Sequence, residues 1–245
     1  MRNIKLLIEY EGTAYCGWQW QRGLPTVQGA LIEAIRKLIG EEVEVSGSSR
    51  TDAGVHALGQ VANFKTASGI SLYNIQRGLN FHLPDDITIR QVEEVLPEFD
   101  SRHDSKGKTY IYRIVNRPQR PAMMRNIAWH VWRPLDIGLM AEAASHFIGE
   151  KDFASFMAAD AQVSHSMREV TSVDIRRGDN DLVEIEVKGT AFLRHMVRIM
   201  AGTLVEVGMG RLRPEAVQHI IAAQDRRRAP MTAPPHGLTL VKVEY

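Results

Sequence analysis

The 245-residue chain holds one cysteine, Cys16, so no disulfide can form within it. No apolar run approaches the roughly 20 residues that a membrane-spanning helix requires. The start, MRNIKLLIEYEG, runs straight into a strand-like pattern, without the apolar stretch and cleavage site of a signal peptide. Cytoplasmic localisation without membrane association is the expectation. The nine histidines are scattered singly, none at a metal-ligand spacing with a cysteine or a second histidine. There is no Walker loop and no G-x-G-x-x-G after a strand. The expectation is therefore a protein with no metal, no cofactor and no disulfide framework.

Charge of one sign is also missing, since the formal net charge is only +1. Its distribution is more informative than its sum. Arginine gathers at Arg113, Arg117, Arg120 and Arg125, at Arg194 and Arg198, and at Arg226, Arg227 and Arg228. Acid gathers at Glu41, Glu42 and Glu44 and again at Glu93, Glu94, Glu98 and Asp100. The guanidinium fork suits phosphate, so local arginine clusters on a near-neutral chain are compatible with a basic cleft. Solvated faces are the plain alternative. The loop NRPQRPAMMRN and the stretch QDRRRAP, with Arg117, Arg120, Arg226 and Arg227, are the candidates for phosphate contact.

Periodicity gives an α+β fold. IKLLIEYEG reads as a strand, and TVQGALIEAIRKLIG as a helix with Thr26 as N-cap, Gly40 as stop and an apolar stripe at Val27, Leu31, Ile35 and Leu38. EVEVSG and QVANFKT read as strands, SLYNIQRGLNFHLP as a helix ending near Phe81, and ITIRQVEEV as a strand. That order is the ferredoxin-like split βαβ unit. In the second half, TYIYRIV and AWHVW read as strands and PLDIGLMAEAASHFIG as a helix with Leu135, Leu139, Ala143 and Phe147 on one face. VTSVDIRR and DLVEIEVKG form a hairpin around Asp179 and Asn180, AFLRHMVRIMAGTLVEVG and RPEAVQHIIAAQ read as helices, and GLTLVKVEY as a closing strand. The expectation is two ferredoxin-like, RRM-like lobes, residues 1–105 and 106–245, with mixed antiparallel sheets and the active site in the cleft between them.

Within SSRTDAGVHALGQVANF, Asp52 follows Arg50 by two residues and precedes Gly54 by two. An Asp before a Gly is ordinary turn chemistry. The functional reading rests on the setting: Ala53 and Gly54 leave room for a ligand's close approach, and a neighbouring guanidinium keeps a carboxylate ionised. An ionised loop carboxylate is a candidate nucleophile. The residues alone leave both readings open. Cys16 has no companion that marks a nucleophile, and Met196 and Met200 read as core.

The same stretch resembles the signature of the tRNA pseudouridine synthase I family (TruA). The resemblance extends over YEGTAYCGWQWQRGLPTVQGALIEAI, FDSRHDSKGKTYIYRI, GTAFLRHMVRIMAGTLVEVGMGR and TAPPHGLTLVKVEY. It implies that Asp52 is the catalytic aspartate, that Tyr110 packs against the target base, that Arg198 pairs with Asp52, and that Arg50 engages the substrate. It implies uridines 38, 39 and 40 of the tRNA anticodon arm as substrate and a homodimer as the assembly. Ser49 stands where many members carry Gly, His103 where Phe is common, and Lys151 where His is frequent.

Pseudouridine formation breaks N1–C1′, turns the base and joins C5 to C1′, with no redox change and no net hydrolysis. The carboxylate acts at C1′, as in retaining glycosidases, or helps eject the base through proton loss from the ribose; the sequence leaves both open. Hydrolysis by a glycosidase route needs a second carboxylate as general acid, and none stands near Asp52 in sequence. The target uridine must leave the stack, and an aromatic face such as Tyr110 offers roughly 1–3 kcal/mol of stacking. Alternation in TYIYRI equally places Tyr110 and Tyr112 in a core. Arg198 on an apolar helix is costly to bury unpaired, and a partner within about 4 Å relieves that cost. The competing functions are a non-catalytic RNA-binding module and a nucleoside or glycoside hydrolase using Asp52.

Overall fold

The computed structural model describes residues 1–161 and 163–245. The chain divides into two compact units, one of Met1–Lys106 with Leu240–Tyr245, the other of Gly107–Thr239.

In the first unit, β1 (Arg2–Tyr10) buries Ile4, Leu6, Ile8 and Tyr10 in the period-2 alternation visible in the sequence. The following helix, α1 (Val27–Ile39), is bounded by local chemistry. The Thr26 side chain accepts from the Gly29 N–H, and Gly40 closes the helix at φ 73°. Its buried stripe is Val27, Leu31, Ala34 and Ile35, with Leu38 only half-buried. β2 (Val45–Gly47), β3 (His56–Thr66), α2 (Leu72–His82) and β4 (Ile87–Val95) complete the N-terminal part. Antiparallel β1 lies between β3 and β4, and β2 adds to the far side of β3. β3 begins at His56, earlier than its apolar pattern indicates, so the strand starts four residues after Asp52.

In the second unit, β5 (Gly107–Val115) pairs with a two-residue parallel strand, β6 (Trp129–His130). Then come α3 (Ile137–Ser145), β7 (Gly149–Asp152), β8 (Met167–Arg177) and β9 (Leu182–Gly189). The order β5-β9-β8-β7 is antiparallel throughout. Asn180 and Asp181 turn the β8–β9 hairpin at φ 55° and 61°, a left-handed geometry that Asn and Asp tolerate. α4 (Met196–Gly208) buries Ile199, Met200, Leu204, Val205 and Val207 completely. Each such side chain is worth about 1.5–3 kcal/mol over its exposed state. The helix starts at Met196, not at Ala191, because His195 stands at φ 66° immediately before it. On α3 the buried face is Met140, Ala143 and Ala144, with Leu139 half-buried, because Met140 packs directly against Gly208 of α4. α5 (Ala216–Ala223) and β10 (Leu238–Glu244) end the chain. From Leu240 on, β10 belongs to the first unit, where the Val241 carbonyl sits so close to Gly59 that any Cβ there would approach it to 2.3 Å. No helix among the described residues is long and apolar enough to cross a membrane.

Candidate active site

Asp52 is half-buried at the head of a tight turn. The Val55 N–H donates to the Asp52 carbonyl at 3.1 Å, and Gly54 takes φ 76° at the third position. A positive φ there is what a type II turn demands, and glycine meets it without strain. The turn reading of Asp-x-Gly and the reactive reading thus describe the same loop.

The loop is braced from two sides. One brace is the segment between β1 and α1. Trp18 N–H donates to the Thr51 carbonyl at 3.1 Å, Gly54 N–H donates to the Tyr15 carbonyl at 3.3 Å, and the Tyr10 and Thr51 hydroxyls share a buried hydrogen bond of 2.7 Å. Gly17, at φ 93°, lies so close that a Cβ would meet the Thr51 carbonyl at 2.7 Å, and a Cβ on Gly12 would meet the Val55 carbonyl at 2.0 Å. Gly12 N–H also donates to His56 Nδ1 at 2.9 Å. This brace is anchored in turn to α1, since Val27 and Gln28 N–H donate to the Gly17 and Trp18 carbonyls. The other brace is Gln60 of β3, whose side chain bonds to Ser48 and Ser49. Gln60, Gly17, Gly12 and Tyr10 were not singled out by sequence reasoning. The glycines of EGTAYCGW were the available signal, and Gln60 gave none.

Arg50 is exposed and lines an open cavity of about 690 Å³ together with Trp18, Ser46, Gly47 and Arg102. Nearby, burial pushes the Asp100 carboxyl up, but the His103 and Arg102 N–H groups and the Ser46 hydroxyl more than offset it and hold it below the usual carboxylate range.

The other named residues lie in the second unit. Tyr110 stands on β5, only 7% exposed, edge-on to Phe192 with ring centroids 5.3 Å apart. Tyr112, on the same face, is fully buried and donates its hydroxyl to the Pro234 carbonyl at 2.8 Å. Arg198 on α4 is fixed by reciprocal bonds to Ala233, its Nε donating at 2.9 Å and its carbonyl accepting at 3.1 Å. Its charge acts on two neighbours. Burial raises the Tyr112 phenol, with Arg198 opposing, and burial lowers the His236 imidazole, with Arg198 reinforcing.

The candidate phosphate contacts divide by how much of each side chain is committed. Arg120 is exposed. Arg117 donates to the Gln119 carbonyl and lies 3.8 Å from Asp181. Arg226 is half-buried, bonded to the Ala229 carbonyl and the Thr232 hydroxyl. Arg227 is clamped by Asp225 at 2.9 Å.

The structure thus sets one half-buried carboxylate, Asp52, on a loop braced from two sides in an α+β chain. The family model described as tRNA pseudouridine synthase matches residues 6–104 and 143–245, and the chain belongs to that family. It is similar over its full length to proteins named tRNA pseudouridine synthase A. It is 46% identical to that of Myxococcus xanthus, covering 92% of that protein. It is 47% identical to those of Ruminiclostridium cellulolyticum and Acetivibrio thermocellus, each covered completely. A chain in the crystal structure of a Cbf5-Nop10-Gar1 complex aligns with 96% of this chain and 49% of its own length, at 13% identity and a TM-score of 0.39, too weak a likeness to carry argument. The chain is therefore an isomerase that converts uridine to pseudouridine in tRNA.

Proposed function

We propose that the chain acts on uridines 38, 39 and 40 of the tRNA anticodon arm, with Asp52 as the nucleophile. The observation that carries this reading is the Asp52 loop, a half-buried carboxylate on backbone held from both flanks. Fixed geometry of this kind supplies the near-attack placement that a displacement at C1′ needs. The carboxylate oxygen bonds to C1′ as the N1–C1′ bond breaks and its electron pair stays on the uracil. The base turns, C5 bonds to C1′, and the carboxylate leaves. The proton on C5 is then lost, N1 gains one, and the atoms balance with no other reactant.

Tyr110 receives the face of the extruded base, and stacking of this kind is worth roughly 1–3 kcal/mol. Arg198 is the cation for Asp52, as the family resemblance implies, and Arg50 engages the RNA strand at the flipped nucleotide. Arg117, Arg120, Arg226 and Arg227 contact phosphates. The working form is a homodimer in the cytoplasm.

Asp52→Asn tests the reading with an anticodon stem-loop RNA bearing uridines at these positions. The expected result is retained RNA binding with pseudouridine formation lost. Pseudouridine made by the Asn variant, or free uracil released by the wild type, would overturn it.

A further inference from the structure

We infer that Gln60 is the positioning residue for Asp52, acting through the backbone of Ser48 and Ser49. This rests on the reading of Asp52 as nucleophile. Gln60 sits in β3 opposite Ile8 of β1 and is completely buried, in a strand whose neighbours are nearly all buried too. A primary amide in that place is costly unless its donors and acceptor are matched, and a Met or Leu would fill the volume without the cost. The amide is instead spent on the segment that leads into Asp52. Gln60 Oε1 accepts from the Ser48 hydroxyl at 2.8 Å and from the Ser49 N–H at 3.2 Å, while Nε2 donates to the Ser49 carbonyl at 2.7 Å. Two of these bonds grip both polar groups of one residue, so they fix the rotation of Ser49 as a ladder partner would. Ser48 N–H is held to the same strand by the Val61 carbonyl at 2.9 Å. Ser48 and Ser49 are themselves buried, and Arg50 and Asp52 leave directly from them. The Tyr10–Thr51 bond holds a side chain, whereas the Gln60 amide holds the backbone of Ser49 directly.

The amide's need for both a donor and an acceptor gives a test that a filler role would not pass. In Gln60→Glu the neutral acid keeps one accepting oxygen and one O–H donor, and so can remake all three bonds. The ionised form cannot donate to the Ser49 carbonyl. Burial raises such a carboxyl, by up to about 3–5 units when complete, so the switch falls within an assayable range. Gln60→Met keeps the volume and loses the bonds at every pH. The measurement is the single-turnover rate of pseudouridine formation at saturating enzyme, from pH 9 to pH 6, beside the dissociation constant for the same stem-loop RNA. For Gln60→Met we expect a rate about 10–100-fold down across the range, on the scale that misplacement by about 1 Å produces, with RNA affinity within about threefold of wild type. Gln60→Glu is expected to match Gln60→Met at pH 9 and to recover to within about threefold of wild type at pH 6. Wild-type rates for both variants, a loss in affinity in place of rate, or a Gln60→Glu profile parallel to wild type would overturn the assignment. Asp52→Asn, run alongside, separates the two claims. If it stays active, the reading of Asp52 fails. If it is inactive while the Gln60 variants keep the wild-type rate, only the positioning role fails.

Discussion

Gly17→Ala should injure catalysis as well as stability, and the structure supplies its own control. Gly17 stands at φ 93°, a conformation that costs a non-glycine residue about 1–3 kcal/mol. The added methyl would lie 2.7 Å from the Thr51 carbonyl and 3.2 Å from both the Asp52 carbonyl carbon and the Ala53 nitrogen. Ordinary contact begins near 3.4 Å, so the Thr51 carbonyl must retreat by about 0.7 Å. Overpacking of this kind adds about 1–3 kcal/mol, for a total of about 2–6 kcal/mol. Every atom that must move is backbone of the Asp52 loop. Gly23 also has a positive φ, 76°, yet nothing lies within 4 Å of the position its Cβ would take. Gly23→Ala should therefore show the backbone cost alone, about 1–3 kcal/mol, with wild-type turnover. The assay is urea unfolding for both variants, followed by pseudouridine formation under conditions where each is fully folded. Gly17→Ala should lose at least about tenfold in turnover, as small misplacements of a reacting group do. Equal turnover in the two variants would refute the claim that the Gly17 contact sets the position of Asp52.

Two further outcomes follow from single sites. The folded-state pKa of His236 lies below its ordinary value, first through burial and then through Arg198. The unfolded chain therefore takes up the proton first as pH falls. The stability His236 contributes is present above about pH 6.5 and is lost as pH drops below it; a flat unfolding free energy between pH 7 and pH 5, identical in wild type and His236→Asn, would contradict this. Arg120, exposed and uncommitted among the described residues, should as Arg120→Ala reduce the magnitude of the log–log salt slope of tRNA binding by roughly 0.7–0.9, the contribution of one phosphate contact. An unchanged slope would remove it from the RNA contact surface.

What the sequence made legible was local. The N-cap Thr26, the stop at Gly40 and the alternation of β1 each depend on residues within a few positions, so pattern alone places them. The Asp52 turn was legible for the same reason, through Gly54. Three kinds of feature were not. The start of α4 depends on the left-handed backbone of His195, which no propensity announces. The buried face of α3 is decided by Met140 meeting Gly208, a contact 68 positions away in the chain. The meaning of the basic run at Arg226 and Arg227 depends on partners. In the sequence it is a candidate for phosphate contact; in the fold Arg226 also bonds the Ala229 carbonyl and Arg227 also pairs with Asp225.

Gln60 is the sharpest instance, because its place in QVANFKT gives it no more weight than any polar residue in an apolar strand. Its importance comes from a register that sets it beneath Ser49. The same holds for Gly12 and Gly17, whose lack of a side chain matters only because the Asp52 loop passes within contact distance of both. On the proposed reading the motif supplies the reacting group, while the residues that hold its loop are scattered through β1, the segment before α1, and β3. A carboxylate on a freely moving loop would spend its reactivity on many orientations. Here the hydrogen bonds to Ser48, Ser49, Thr51 and Gly54 are made before substrate arrives, so the ordering cost falls on folding and not on each turnover.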